Sequence, residues 1–132
     1  MSFLLDTHTF LFCVFGTPKL GRNAEKIILD PTSTIFVSVV SFWEISLKYS
    51  IGKLDLVNVV PDELPSLSNE MGFSLIGLSP DDAATVHRLE RLEHKDPFDR
   101  ILIWQAIRRN CTLISKDSSF KKYNRLGLQV LW

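Results

Sequence analysis

The sequence predicts an α/β fold, a central parallel β-sheet of four to five strands flanked by helices. Three observations carry that expectation. Short apolar or β-branched runs alternate with helix-patterned segments, the runs are apolar enough to be buried on both faces, and Gly, Pro and Asp fall between them. Strands that alternate with helices connect by right-handed crossovers, and such connections make the strands parallel.

The elements follow in order. Phe3 to Leu5 is a short apolar run closed by Asp6, and the stretch from Phe10 to Phe15 reads as helix until Gly16 and Pro18 break it. Arg22 to Leu29 is helical and ends before Pro31, after which Thr34 to Val40 is β-branched and apolar enough for a buried strand. Ser41 to Ile51 forms a helix with Phe42, Ile45 and Tyr49 on one face, stopped by Gly52. A helix from Asp62 to Met71 leads to a strand at Phe73 to Ile76. Ser79, Pro80 and the paired Asp81 and Asp82 open another helix that runs to about Leu92. Pro97 starts the next, which continues to Asn110, and Thr112 to Ser115 with Leu128 to Leu131 supply the last two strands. No repeat or low-complexity segment interrupts the pattern.

With 132 residues, 45% of them hydrophobic, the chain suits one domain spanning 1–132. No stretch approaches the ~20 apolar residues of a membrane span, and no basic segment precedes the first apolar run, so a cytoplasmic protein is expected. Cys13 and Cys111 have no metal-ligand or redox spacing and read as free, mostly buried thiols. The net charge is zero but unevenly spread. Arg88 to Arg125 holds ten basic and five acidic residues, a surplus of +5 that the remainder offsets with −5. A basic C-terminal third beside an acidic pocket suits a phosphodiester substrate, although charge runs are as often ordinary solvated faces.

Four separated acids stand where such a fold gathers side chains. Asp6 follows the first strand, Glu44 opens the helix after the second, Asp99 opens the helix leading into the fourth, and Asp117 lies just past that strand. Carboxyl ends of strands and amino ends of crossover helices share one edge of a parallel sheet, the edge where ligands bind. Taken singly, each acid has a plainer reading. Ser41 and Glu44 have capping-box spacing, Asp96, Pro97 and Asp99 read as an N-cap, a first-position proline and a first-turn acid, and Asp117 suits a turn or cap before Ser118 and Ser119. Asp6 is harder to explain that way, because a charge closing a buried run is costly unless paired. Jointly the four demand compensation. Two carboxylates about 5 Å apart repel by about 3 kcal/mol at an effective dielectric of about 20, so protons or a cation must neutralise the group. Oxygen-only ligands point to Mg²⁺ or Mn²⁺ rather than zinc, and His8, His87 and His94 are left outside the site.

The strings LLDTHTFLF, VSVVSFWEISLKYSIGKL, HKDPFDRILIWQA and TLISKD, in that order and with the terminal VLW, closely resemble the PIN-domain ribonucleases, specifically the VapC-type toxins of toxin-antitoxin pairs. The resemblance spans essentially the whole chain. It implies a three-layer PIN-like fold, a site of Asp6, Glu44, Asp99 and Asp117 holding Mg²⁺ or Mn²⁺, cleavage of RNA to 5′-phosphate and 3′-hydroxyl products, a cognate antitoxin partner and a homodimer. Asp6 and Asp99 are expected to hold the ion chiefly, with Glu44 and Asp117 positioning the attacking water or holding a second metal. Asp96 is kept as the cap and could assist Asp99. Thr7 is expected to help orient the water, Arg100 and Lys116 to contact flanking phosphates, and Trp43 and Phe98 to pack in the core rather than stack on bases. The apolar helix bearing Ile101, Leu102, Ile103, Trp104, Ala106 and Ile107 should be deeply buried, partly in a dimer.

Other classes compare poorly. A haloacid-type phosphatase needs a second Asp two residues after the first, where this chain has His8, and no glycine-rich P-loop is present. Two alternatives remain: a non-catalytic PIN-like module that binds RNA or a partner, and a housekeeping RNA-processing or DNA nuclease of the same fold.

Overall fold

A computed structural model of the chain describes residues 1–16, 18–92 and 94–132. Five parallel strands form one sheet: β1 (Ser2–Leu5), β2 (Thr34–Ser38), β3 (Ser74–Ile76), β4 (Thr112–Ile114) and β5 (Gln129–Leu131), in the order β3-β2-β1-β4-β5. The α-helices are α1 (Thr7–Phe15), α2 (Arg22–Leu29), α3 (Val39–Ser50), α4 (Leu64–Glu70), α5 (Pro80–Thr85) and α6 (Pro97–Arg109), joined by 3₁₀ turns at Pro61–Glu63, Val86–Arg88 and Ser118–Leu126. The expected parallel α/β sheet is therefore present.

Alternation along the strands divides the core between the two faces of the sheet. Leu4 and Leu113 point into a cluster with Leu102, Ile103, Phe120 and Tyr123, whereas Phe3, Leu5 and Ile114 join Phe10, Val37 and Ile45 on the other side. Both faces are covered, as parallel sheets require. α6 meets its expectation of deep burial within the chain itself. Leu102, Ile103 and Ala106 are core residues, and Ile101, Trp104 and Ile107 pack against them, so this helix needs no dimer to cover it.

Several boundaries differ from expectation, each for a local reason. The second strand stops at Ser38 rather than Val40, because the Ser38 hydroxyl accepts the Val40 N–H at 3.1 Å and caps α3 three residues earlier than expected. The helix beginning at Pro80 gives way to a 3₁₀ turn after Thr85 and ends at Arg88, well before Leu92. The 3₁₀ segment Ser118–Leu126 starts at the cap expected of Asp117, but its length was not expected. α6 runs as expected from the Asp96 cap, whose carboxylate accepts Phe98 N–H at 2.8 Å, to Asn110 in the left-handed conformation. Among the described residues, no helix is long and apolar enough to cross a membrane.

Strand order makes the geometry useful. The chain moves outward from β1 through β2 to β3 on one side and from β4 to β5 on the other, so the order reverses between β1 and β4. At that pair Leu5 is opposite Ile114, and the Asp6 N–H bonds Ile114 O at 3.1 Å. Open α/β sheets bind ligands at the carboxyl edge beside such a reversal. α6 is held against this edge by Gln105, which donates to Gly77 O at 3.0 Å and accepts the Ser38 hydroxyl at 2.7 Å.

Candidate functional site

Asp6, directly after β1, is buried and is the N-cap of α1, accepting the Thr9 N–H at 2.8 Å. Burial pushes its carboxyl above the ordinary range, against hydrogen bonds from Ser115 and Thr9 and the nearby His8. Ser115, at the end of β4 and 2% exposed, also accepts the Asp117 N–H at 3.0 Å and so joins the two acids on either side of the strand reversal. A cleft of about 270 Å³ lined by Asp6, His8, Phe12, Lys116 and Asp117 opens here.

Asp117 is exposed and caps the 3₁₀ segment that follows it. Partial burial is the largest single influence and works against its charge, but the Ser119 hydroxyl at 2.6 Å, the Ser119 N–H at 2.9 Å and His94 together outweigh it and hold its carboxyl below the usual value. His94, left outside the site on sequence grounds, sits against it. Its Nε2 lies 3.8 Å from Asp117 Oδ2 and 3.2 Å from Ser119 Oγ, with the ring packed on Phe120 and Tyr123.

Glu44 corrects the capping-box expectation. With Ser38 as the cap, Glu44 falls in the second turn of α3 and serves no terminus. It is 3% exposed, with Oε1 2.6 Å from the Thr7 hydroxyl and Oε2 2.5 Å from Lys48 Nζ. Thr7 also lies 3.0 Å from Ser41 Oγ. It therefore braces Glu44 from the first residue of α1. The bond with Glu44, and then the charges of Glu44, Asp96 and Asp99, raise the Lys48 pKa against its partial burial. Lys48 was missed in the sequence, where its position four residues after Glu44 was the available signal.

Asp99 lies in the first turn of α6, where Asp96 already provides the cap. Its carboxyl is pushed up to about 7, first by burial and then by the charges of Asp96, Glu44, Asp6 and Asp117. All four expected acids thus share one electrostatic neighbourhood. Among the described residues, no three Asp, Glu, His or Cys side chains are drawn together tightly enough to hold an ion as they stand. Three of the four have another engagement: Asp6 with Thr9, Glu44 with Thr7 and Lys48, and Asp117 with Ser119.

The remaining expectations divide. Lys116 lines the Asp6–Asp117 cleft, whereas the Arg100 guanidinium is spent on Leu89 O at 2.8 Å and Glu90 O at 3.5 Å, bracing the loop before α6. The basic third does not form one face. Arg108 pairs with Asp82 at 3.2 Å, Arg125 with Glu90 at 2.7 Å, and Arg109 lies with Met1, Ser2 and Thr34 at the opposite edge of the sheet. Phe98 is buried as expected, but Trp43 is 59% exposed and stands edge-on to it, with ring centres 4.9 Å apart. Cys13 and Cys111 are free, and burial pushes the Cys13 thiol up to about 11.

Residues 3–126 match the family profile described as PIN domain. The chain belongs to the PIN-domain family. This PIN domain is 23% identical over 129 residues to Ribonuclease VapC22 of Mycobacterium tuberculosis, a match covering 98% of this chain and 97% of that protein. Its fold is similar to VapBC2 from Rickettsia felis bound to a promoter DNA fragment, with a TM-score of 0.66 at 17% identity, covering 100% of this chain and 99% of that one. DNA-bound VapBC from Salmonella typhimurium gives 0.64 at 16% identity, covering 99% and 97%. VapBC-5 from Mycobacterium tuberculosis gives 0.59 at 16%, covering 98% and 95%. At these identities the structural likeness is one of fold.

Proposed function

We propose that this PIN domain is a Mg²⁺- or Mn²⁺-dependent endoribonuclease and the toxin of a toxin-antitoxin pair. The observation that carries the reading is the Asp99 carboxyl, held at about 7 by burial and by the other acids converging on it. The donor atoms have the chemistry such an ion takes, all oxygen and mutually repelling, with Asp6 and Glu44 buried beside the strand reversal, and side-chain movement would bring three of them onto it. When bound, the ion supplies charge neutralisation and lowers the pKa of an attacking water. Asp6 and Asp99 are the residues that hold it. Glu44, fixed by Thr7, and Asp117, fixed by Ser119, orient the water. Lys116 holds a phosphate beside the cleft it shares with Asp6 and Asp117.

The names of the relatives support an antitoxin as partner, and the surface supports a protein partner. Val39, Trp43, Leu47 and Ile51 recur every fourth residue along and just past α3, all exposed, and form an apolar stripe. Trp43 also borders a groove of about 690 Å³ with Pro97, Phe98, Ile101 and the bases Arg88, Arg91 and Lys95, which suits an apolar segment with acidic flanks. Self-association as a homodimer would use the same exposed stripe.

The test is incubation of the purified protein with a panel of structured RNAs, with and without Mg²⁺ or Mn²⁺, beside Asp6→Asn and Asp99→Asn. The expected result is metal-dependent cleavage that falls by about 100-fold or more in each variant. Cleavage that persists in EDTA, or is unchanged in both variants, overturns the mechanism. Binding of RNA with no cleavage under any metal would favour a non-catalytic module.

A further inference from the structure

β1, β4 and β5 are neighbours in the sheet, so the residues that follow them stand in a row along its carboxyl edge, about 4.8 Å from strand to strand. Asp6 follows β1, Lys116 and Asp117 follow β4, and Trp132 follows β5. Lys116 and Asp117 line the acid cleft and also a second cleft of about 420 Å³, to which Asn23 of α2, Ser118 and Lys121 of the 3₁₀ segment, and Trp132 contribute. The two clefts are therefore continuous. Trp132 stands edge-on to Phe12 of the acid cleft, with ring centres 6.1 Å apart. The polar side chains of the second cleft are unspent. Among the described residues, those of Lys116, Lys121, Asn23 and Ser118 make no hydrogen bond or ion pair, and all four residues are exposed. Arg100, Arg108 and Arg125, by contrast, are each bound within the chain.

We propose that this second cleft holds the RNA backbone next to the phosphate at Asp6, with Lys116 and Lys121 as cations and Asn23 and Ser118 as hydrogen-bond donors. This rests on the reading of the chain as a ribonuclease, and it needs no bound metal. An RNA strand laid along the edge from Asp6 to Trp132 crosses two strand spacings, about 10 Å, and meets Lys116 in both clefts and Lys121 in the second. The charge changes sign on the way. Asp6 and Asp117 against Lys116 leave the first cleft negative, whereas two lysines against Asp117 leave the second positive. Phosphate contacts of this kind fix register and carry no sequence information, so the cleft sets affinity rather than base preference. The groove beside Trp43 differs in kind. Leu78, Val86, Leu89, Phe98 and Ile101 make it apolar, and no residue lines both it and the second cleft, so a protein partner and the RNA backbone have separate surfaces.

The test reads RNA binding without cleavage. Fluorescence anisotropy of a labelled single-stranded RNA octamer is followed in EDTA over a range of salt concentrations, for wild type, Lys121→Met, Lys121→Arg and Asn23→Asp. Lys121→Met should weaken binding about fivefold and lower the slope of log affinity against log salt by about 0.7, the share of one phosphate contact on a single strand. Lys121→Arg should bind as wild type. Asn23→Asp sets a negative charge on the cleft from a different element and should weaken binding about as much as Lys121→Met. Lys53→Met is the control, because Lys53 is exposed just past the end of α3 remote from the carboxyl edge, and the same loss of charge there should leave the slope unchanged. If circular dichroism shows Lys121→Met unfolded, Lys121→Gln takes its place. An unchanged slope in Lys121→Met, or Arg91→Met in the apolar groove weakening binding more than Lys121→Met does, overturns the inference while the nuclease reading stands. Absence of RNA binding by the wild type overturns both, whereas the expected pattern without cleavage once Mg²⁺ is restored would sink only the nuclease reading.

Discussion

Replacing Asp99 with Asn should make the metal-free protein more stable at alkaline pH while abolishing its proposed activity. In the unfolded chain this carboxyl ionises at 3.8, and in the folded protein at about 7. Folding therefore takes up a proton between those values, and the stability contribution of Asp99 is lost as pH rises from about 4 to about 7, with the full penalty present above about 8. A tenfold change in proton affinity is worth about 1.4 kcal/mol, so the unscreened penalty is about 4 kcal/mol. Asp99 is only partly buried, and solvent screening reduces this to about 2 kcal/mol. The first turn of α6 favours a negative charge by about 0.5 kcal/mol, which leaves Asn ahead by about 1.5 kcal/mol. For a chain of this size that is a rise in Tm of about 5 °C. The assay is thermal melting by circular dichroism in EDTA at pH 3.5 and pH 8.5. Asp99→Asn should melt about 5 °C above wild type at pH 8.5 and close to it at pH 3.5, where the Asp99 carboxyl is largely protonated in the folded and the unfolded chain alike. A variant less stable than wild type at pH 8.5, or a difference that does not change with pH, would refute the claim that the acids converge on Asp99.

Two further substitutions test how the site is held. Thr7→Ala removes the hydroxyl 2.6 Å from the buried Glu44 oxygen and should cost about 1–3 kcal/mol in urea unfolding, with Thr7→Ser restoring most of it. An unchanged midpoint for Thr7→Ala would mean that Glu44 finds a substitute partner. Gly21→Ala would place a Cβ 2.6 Å from Trp132 Cδ1 and 2.8 Å from its backbone carbon, at a position whose backbone is otherwise ordinary. It should cost about 1–3 kcal/mol by the same assay, and an unaltered midpoint would show that the C-terminal Trp is free to move aside.

What the sequence made legible was mainly periodic or governed by strong local chemistry. Alternation of apolar runs and breakers located all five strands, and the Asp96-Pro97 pair located the start of α6. The start of α3 was misread because Val39 and Val40 look like strand, and their β-branched preference yields to a Ser38 hydroxyl that can cap two residues on. The extent of the Ser118–Leu126 segment escaped notice because Phe120 and Tyr123 recur at three residues, a 3₁₀ spacing, within an otherwise polar segment. At the site, the acids were visible as strand-end and first-turn residues, but Lys48, Ser115 and His94 were not. A lysine on a helix, a serine after a strand and a histidine in a loop are ordinary in sequence. Their significance comes from contacts that span as many as 109 residues of chain, from Asp6 to Ser115.

The structure moves the structural reason for existing from Glu44 to Asp6 and leaves it with Asp117. Capping belongs to Asp6, which starts α1, and to Asp117, which starts the last 3₁₀ segment. Glu44, which sequence spacing placed in a capping box, and Asp99, a first-turn acid behind the Asp96 cap, cap nothing, because Ser38 and Asp96 do that work. Glu44 is buried at the cost of recruiting a threonine and a lysine, and Asp99 is left with its ionisation opposed by every other acid nearby. A hydrophobic or amide side chain at either position would serve the fold at least as well. Local choices that conflict with stability and have no compensating structural role are the mark of a functional site. By that criterion Glu44 and Asp99 carry the stronger argument for chemistry. Asp6 and Asp117 supply oxygens that the caps have already fixed in place.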